Sequence, residues 1–230
     1  MNKVFNPEKN TWSSLAKRPL YSLDSVKGIV DEIFTNVKLK GDEALVDYTN
    51  KFDKVNLNDL LVSDKKINNS ENDIDKDLKE SINIAFNNIY KFHKNQAFNS
   101  KKTETTPGVF CWQEKRAIEN VGLYIPGGTA PLFSSVLMLA IPAMIANCKN
   151  IVLCSPPNNN GELHPAILYC AKLCKVNKVI CVGGAQSIAA MSIGTESVPK
   201  VNKIFGPGNQ YVTYAKLKYI NFNTAIDMPA

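Results

Sequence analysis

The chain has 230 residues, 44% of them hydrophobic and 21% charged, with 27 Lys and Arg against 21 Asp and Glu for a net charge of +6. Those values fit a folded globular protein of one or two units with a sizeable core, and they exclude a disordered or fibrous chain. The positive surplus is scattered, with 19 basic against 17 acidic side chains in residues 1–118 and 8 against 4 in residues 119–230. No basic run is interleaved with aromatics, so no nucleic-acid partner is expected.

Residues 1–18 place Phe5, Trp12 and Leu15 among Asn, Lys and Ser without periodicity, which predicts an N-terminal arm. A helix follows, capped by Ser22 or Asp24, with Val26, Ile29, Val30, Ile33 and Val37 on one face. Gly41 ends it, and Asp42 is placed to cap a second helix through Ala44, Leu45 and Tyr48. Residues 53–75 are rich in Asn and Asp apart from Leu60, Leu61 and Val62, and predict a linker with at most one short strand. Leu78, Ile82, Ala85, Phe86, Ile89 and Phe92 or His93 recur every three or four residues, the pattern of an amphipathic helix. Residues 101–107 read as a turn, and 109–113 with 117–119 as hairpin strands.

The character changes near residue 120, since only twelve of the 48 charged residues lie beyond residue 118. Strands covered by helices on both faces need such a composition. Strands are predicted over 121–125, 151–154, 179–182, 201–205 and 224–226, separated by helices near 132–146, 165–174, 186–193 and 209–219. Short apolar strands alternating with helices imply an α/β fold with a parallel, doubly wound sheet. The uncharged stretch 120–148 is interrupted by Gly127, Gly128, Pro131 and Pro142, so it reads as loop and buried helix and not as a membrane span. The boundaries drawn are an arm at 1–18, a smaller helix-rich unit at 19–119 and a sheet domain at 120–230.

Ligands of such sheets bind beyond the carboxyl ends of the strands. Three strand-end loops carry glycines: 124–129 with Gly127 and Gly128, 183–186 with Gly183 and Gly184, and 206–209 with Gly206 and Gly208. Each opens a helix whose first N–H groups can face an anion. None is a GxGxxG fingerprint, because Tyr211 stands where the third glycine would be. One such loop marks a tight turn; three together favour a nucleotide or phosphate-bearing ligand, with Tyr124 to stack on a ring and Gln186 and Asn209 to hydrogen-bond it.

The other chemically active side chains read as structural. His93 falls at the boundary of a helix face, His164 precedes Pro165 at a helix start, and Asp73, Asp75 and Asp77 lack the glycine and terminal Glu of a calcium loop. The six cysteines, at 111, 148, 154, 170, 174 and 181, form no CxxC pair and follow no signal-peptide pattern, as for reduced thiols of a cytoplasmic protein. Cys170 and Cys174 are one helical turn apart, but no second ligand pair accompanies them. An aldehyde-oxidising enzyme that forms a thiohemiacetal would use Cys148 or Cys154, although neither has an evident activating partner.

The segments NVGLYIPGGTAPLFSSVLMLAIPA (120–143), VGGAQSIAAMSIGTESVPKVNKIFGPGNQYVTYAKL (182–217) and AIDMPA (225–230) closely resemble histidinol dehydrogenase. RPLYSL (18–23) and GDEAL (41–45) fit the N-terminal part of that family. The resemblance implies two Rossmann-like units in an aldehyde-dehydrogenase-like architecture, the first of them incomplete here, and an intertwined homodimer. It implies oxidation of L-histidinol to L-histidine in two NAD-dependent steps, with a zinc ion that orients the substrate. Matched residue by residue, the tyrosine, glutamine and asparagine that contact NAD are Tyr124, Gln186 and Asn209. The family's zinc ligands, a glutamine, two histidines and an aspartate, and its Glu-His proton-transfer pair match no position of this chain. The resulting expectation is a chain that is truncated, or whose missing part a separate chain supplies, and that is inactive alone; the alternative is a non-catalytic NAD-binding or structural α/β fragment, and a homodimer or self-association is expected.

Overall fold

The computed structural model describes residues 4–17, 24–96, 100–127, 130–220 and 224–227. Ser22, the RPLYSL segment, Gly128, Thr129 and the last three residues of AIDMPA lie outside them. The arm carries a 3-10 turn, Lys9–Thr11, and a short helix α1 (Trp12–Leu15), with Phe5, Trp12 and Leu15 all exposed.

Helix α2 (Asp24–Lys40) buries Val26, Val30, Ile33 and Val37. Ile29, expected on the same face, is 44% exposed and lies at the rim of a cleft. In α3 (Asp42–Asp53), Asp42 is the first helical residue and not the cap; Gly41 holds the cap position. The cap hydrogen bond comes from far along the chain, where the Glu196 carboxylate accepts the Asp42 N–H at 2.9 Å and satisfies a donor with no partner inside the helix.

The predicted linker at 53–75 is instead largely structured. Leu61 bridges to Ile180, and α4 (Asp64–Asn69) is capped by Ser63, whose side chain accepts the Lys66 N–H. Helix α5 (Lys76–Lys94) is capped by Asp75 and buries Ile82. The hairpin pairs β1 (Thr103–Thr106) with β2 (Val109–Cys111), so the expected turn at 101–107 contains a strand, and 117–119 contains none. Pro107 and Gly108 provide the reversal, and every residue of both strands is exposed.

The remainder alternates as predicted: β3 (Asn120–Tyr124), α6 (Phe133–Ile145), β4 (Asn150–Ser155), α7 (Pro165–Leu173), β5 (Lys178–Cys181), α8 (Gly184–Ile193), β6 (Lys203–Phe205), α9 (Gln210–Tyr219) and β7 (Ala225–Ile226). The five strands form one parallel sheet in the order β5-β4-β3-β6-β7. Successive strands step outward from β3 to β5, then the chain returns to the other side of β3 for β6 and β7. That reversal opens a crevice between β3 and β6 at their carboxyl ends.

Both faces of the sheet are covered. Along β4, Val152 and Cys154 enter one core with α2, α3, α8 and α9, while Ile151 and Leu153 enter the other with α5, α6 and α7. This two-residue alternation is strand geometry, and each face is closed partly by helices from the first hundred residues. At the opposite end, asparagines tie the strand starts together: Asn202 Oδ1 accepts the Asn120 N–H, Asn120 Oδ1 accepts from Asn150 Nδ2, and Asn177 Oδ1 accepts the Ile151 N–H. No described helix is long and apolar enough to cross a membrane.

Candidate functional site

The strand-end loops converge on a cleft of about 470 Å³. Tyr124 comes from the end of β3, Gly184, Ala185 and Gln186 from the start of α8, Asn209 and Tyr211 from the start of α9, and Pro156 and Pro157 from the loop after β4. The opposite wall is made by Ile29 and Ile33 of α2 and by Phe52 and Asp53 at the end of α3.

Tyr124, Gln186 and Asn209, the three residues singled out by sequence, therefore share one cavity. Their local roles differ from simple ligand contacts. The Tyr124 side chain is 4% exposed, and its hydroxyl accepts the Gly184 N–H at 3.2 Å. Its ring thus offers no open face for stacking in this conformation. Burial pushes its hydroxyl up to about 12, so the phenol stays neutral and keeps its proton to donate. Gln186 is 1% exposed, and its Oε1 is buried without a hydrogen-bond partner among the described residues. Asn209 is exposed and caps α9, its Oδ1 accepting the Tyr211 and Val212 N–H groups at 3.0 and 3.1 Å. The cap leaves its amide nitrogen available.

The glycines of these loops serve close packing. A Cβ on Gly127 or on Gly183 would collide with the Pro156 ring, which sits between the two loops. Gly206 has φ +131, and a Cβ there would overlap the Tyr124 carbonyl oxygen. Its loop is anchored from behind. Lys216, 1% exposed, donates to Gly206 O at 2.9 Å and pairs with Asp227, whose other carboxylate oxygen accepts the Gly206 N–H at 2.7 Å. An ion pair between α9 and the residue after β7 thereby fixes the position of the 206–209 loop.

Phe52 and Asp53 were missed by the sequence reading, which placed residue 53 in a linker. Phe52 is 47% exposed with its ring stacked on Tyr48, and Asp53 Oδ2 is buried without a hydrogen-bond partner among the described residues. Desolvation raises the Asp53 carboxyl above its usual range. An aromatic followed by an acid at a helix end is no local signal; the packing of α3 beside α8 makes the pair part of the cleft.

The remaining candidates lie elsewhere. His93 contacts Gln96 through Nδ1 and lines a separate hollow with Lys115 and Arg116. His164 caps α7, its Nδ1 accepting the Ala166 N–H at 3.1 Å. Asp75 caps α5 while Asp77 lies in its first turn. Cys154, Cys170, Cys174 and Cys181 are buried; burial pushes the last three thiols up to about 12, raises Cys154 further, and raises the half-buried Cys148 as well. Neither Cys148 nor Cys154 lines the cleft, and burial favours the protonated thiol of both. No group of three or more His, Cys, Asp or Glu side chains among the described residues is placed to hold a metal ion.

Strand order, crossovers and the cleft at the reversal define a doubly wound α/β protein with its principal cavity beyond the carboxyl ends of the strands. The sequence profile of the histidinol dehydrogenase family matches residues 16–230, and the chain belongs to that family. It is 53% identical over all 230 residues to the histidinol dehydrogenase of Bacteroides thetaiotaomicron, covering 54% of that protein. It is 51% identical over 219 residues to that of Escherichia coli K12, covering 94% of this chain and 50% of the relative. The crystal structure of histidinol dehydrogenase from Elizabethkingia anophelis superposes with a TM-score of 0.90 at 50% identity, over 98% of this chain and 52% of that one. The chain thus spans about half the length of the curated relatives it matches.

Proposed function

We propose that this chain forms the NAD-binding part of a cytoplasmic histidinol dehydrogenase and contributes it to the oxidation of L-histidinol to L-histidine. The observation that carries the reading is the meeting of Tyr124, Gln186 and Asn209 in one cleft at the sheet reversal, with a buried amide oxygen left for a ligand to satisfy. NAD fits this donor and acceptor set and supplies, when bound, the acceptor for the hydride leaving the substrate carbon. Gln186 Oε1 would accept a hydrogen bond from the ligand, the Asn209 amide and the neutral Tyr124 hydroxyl would donate to it, and the start of α8 would face its negative charge. Rigid anchoring of the 206–209 loop through Lys216 keeps these groups in register.

The family's zinc is a different matter. No group of three or more His, Cys, Asp or Glu side chains among the described residues suits it. Proton removal from the alcohol also needs a base, and the one carboxylate among the described cleft-lining residues is Asp53, at the end of α3. We further propose a homodimer or other self-association, supported by the half-exposed apolar side chains Val109, Phe110 and Trp112 on and beside the β1–β2 hairpin.

The test is NADH formation from histidinol in the presence of zinc, measured on this chain alone and after mixing with a polypeptide carrying the rest of a relative's length. Turnover should appear only in the mixture and fall when Gln186→Ala or Asn209→Ala is introduced. Turnover by the chain alone, or indifference of the mixture to both substitutions, would overturn the proposal.

A further inference from the structure

Two cleft-lining residues hold buried oxygens without a hydrogen-bond partner among the described residues, Gln186 Oε1 and Asp53 Oδ2. Both atoms accept and neither donates, so what they lack is a ligand's hydroxyl or amine hydrogen. A buried acceptor left unpaired is destabilising, and a ligand that supplies a donor removes that cost. The rest of the lining sharpens the requirement, since its described residues include no lysine or arginine. The two phosphates of a dinucleotide can lie against backbone N–H groups at a helix start without a cation. A third phosphate beside Asp53 would meet its carboxylate directly.

The position of Asp53 indicates which ligand hydroxyl it faces. Phe52 precedes it in α3; its half-exposed ring stacks on Tyr48, carries Lys51 Nζ 5.6 Å from its centroid, and lines the cleft as an apolar neighbour for a base. Both residues line the same cleft, so a base beside Phe52 would leave its sugar within the space that Asp53 borders. We infer that Asp53 is the specificity-determining residue of the cleft: its carboxylate accepts a hydrogen bond from the 2′-hydroxyl of the adenosine ribose of NAD and excludes a dinucleotide phosphorylated at that hydroxyl. The inference rests on reading the cleft as an NAD site.

Isothermal titration of the 230-residue chain with NAD, NADP and NAD lacking the adenosine 2′-hydroxyl tests it. A hydrogen bond to a charged acceptor corresponds to roughly tenfold or more in affinity, so wild type should bind NAD about tenfold tighter than either analogue. In Asp53→Asn, and in the smaller Asp53→Ser should the first variant fold poorly, the three ligands should bind within about threefold of one another. Wild type binding NADP or the deoxy analogue as tightly as NAD would overturn the assignment. So would an unchanged preference in folded Asp53 variants, and in both cases the cleft would stand as an NAD site. Failure of wild type to bind any of the three would overturn the NAD reading and this inference together.

Discussion

Replacing Lys216 with methionine keeps the length of a side chain that is 1% exposed while removing its charge and its donors. Two groups lose their partner: the Gly206 carbonyl, bonded to Nζ at 2.9 Å, and the Asp227 carboxylate, whose side chain is 28% exposed. Breaking a buried ion pair from one side costs about 3–5 kcal/mol because the other charge is left behind. The partial exposure of Asp227 lets water reach it and puts the expectation near the lower end, about 3 kcal/mol. At about 2–4 °C per kcal/mol for a chain of this size, the midpoint of thermal unfolding should fall by roughly 6–12 °C. Circular dichroism melts, with urea titrations for the free energy, measure both. Adding Asp227→Asn to Lys216→Met removes the stranded charge and should recover part of the loss. A loss below about 1 kcal/mol for the single variant, or no recovery in the double, would show that the pair does not anchor the 206–209 loop.

Three further outcomes are expected. Burial raises the Tyr124 hydroxyl to about 12, so the folded chain retains a proton that the unfolded chain has begun to lose at pH 10. The contribution is intact below pH 10 and stability falls between pH 10 and 12 by up to about 1.4 kcal/mol per pH unit; wild type and Tyr124→Phe should diverge only in that window, and parallel profiles would contradict the burial argument. Under native conditions a thiol reagent should label Cys111 quickly and Cys148 slowly, and Cys154, Cys170, Cys174 and Cys181 only on unfolding, whereas rapid native labelling of any of these four would contradict their burial. Association should depend on concentration in light scattering and weaken in a Phe110→Ser, Trp112→Ser double variant; a clean monomer at high concentration would refute it.

The part of the fold beyond residue 120 was legible because its strands are short apolar runs that pair in parallel and are buried on both faces, as in the Val-Leu-Cys stretch of β4. Polar elements escaped detection. The α4 helix has one buried residue, Ile67, and β1 is a run of exposed Thr and Glu, so neither carries the apolar period that marks helix or strand. Composition made residues 53–75 look like a linker, although Leu60, Leu61 and Val62 run beside β5 through Cys181 N–H to Leu60 O and Val62 N–H to Val179 O. In the site, loop glycines and strand ends pointed to Tyr124, Gln186 and Asn209, which do share the cleft. Phe52 and Asp53 could not be found that way, because their place opposite α8 is set by tertiary packing across more than a hundred residues. The role of Pro156, filling the space that side chains at Gly127 and Gly183 would take, is a tertiary fact of the same kind.

Occupation of the cleft at the sheet reversal by NAD is tested by titrating the isotopically labelled chain with NAD and following its backbone amide resonances. The amides of Gly184, Ala185, Gln186, Tyr211 and Asp53 should shift together and saturate with one affinity. Shifts confined to another surface, such as the hollow lined by His93, Lys115 and Arg116, or no shifts at millimolar NAD, would contradict it.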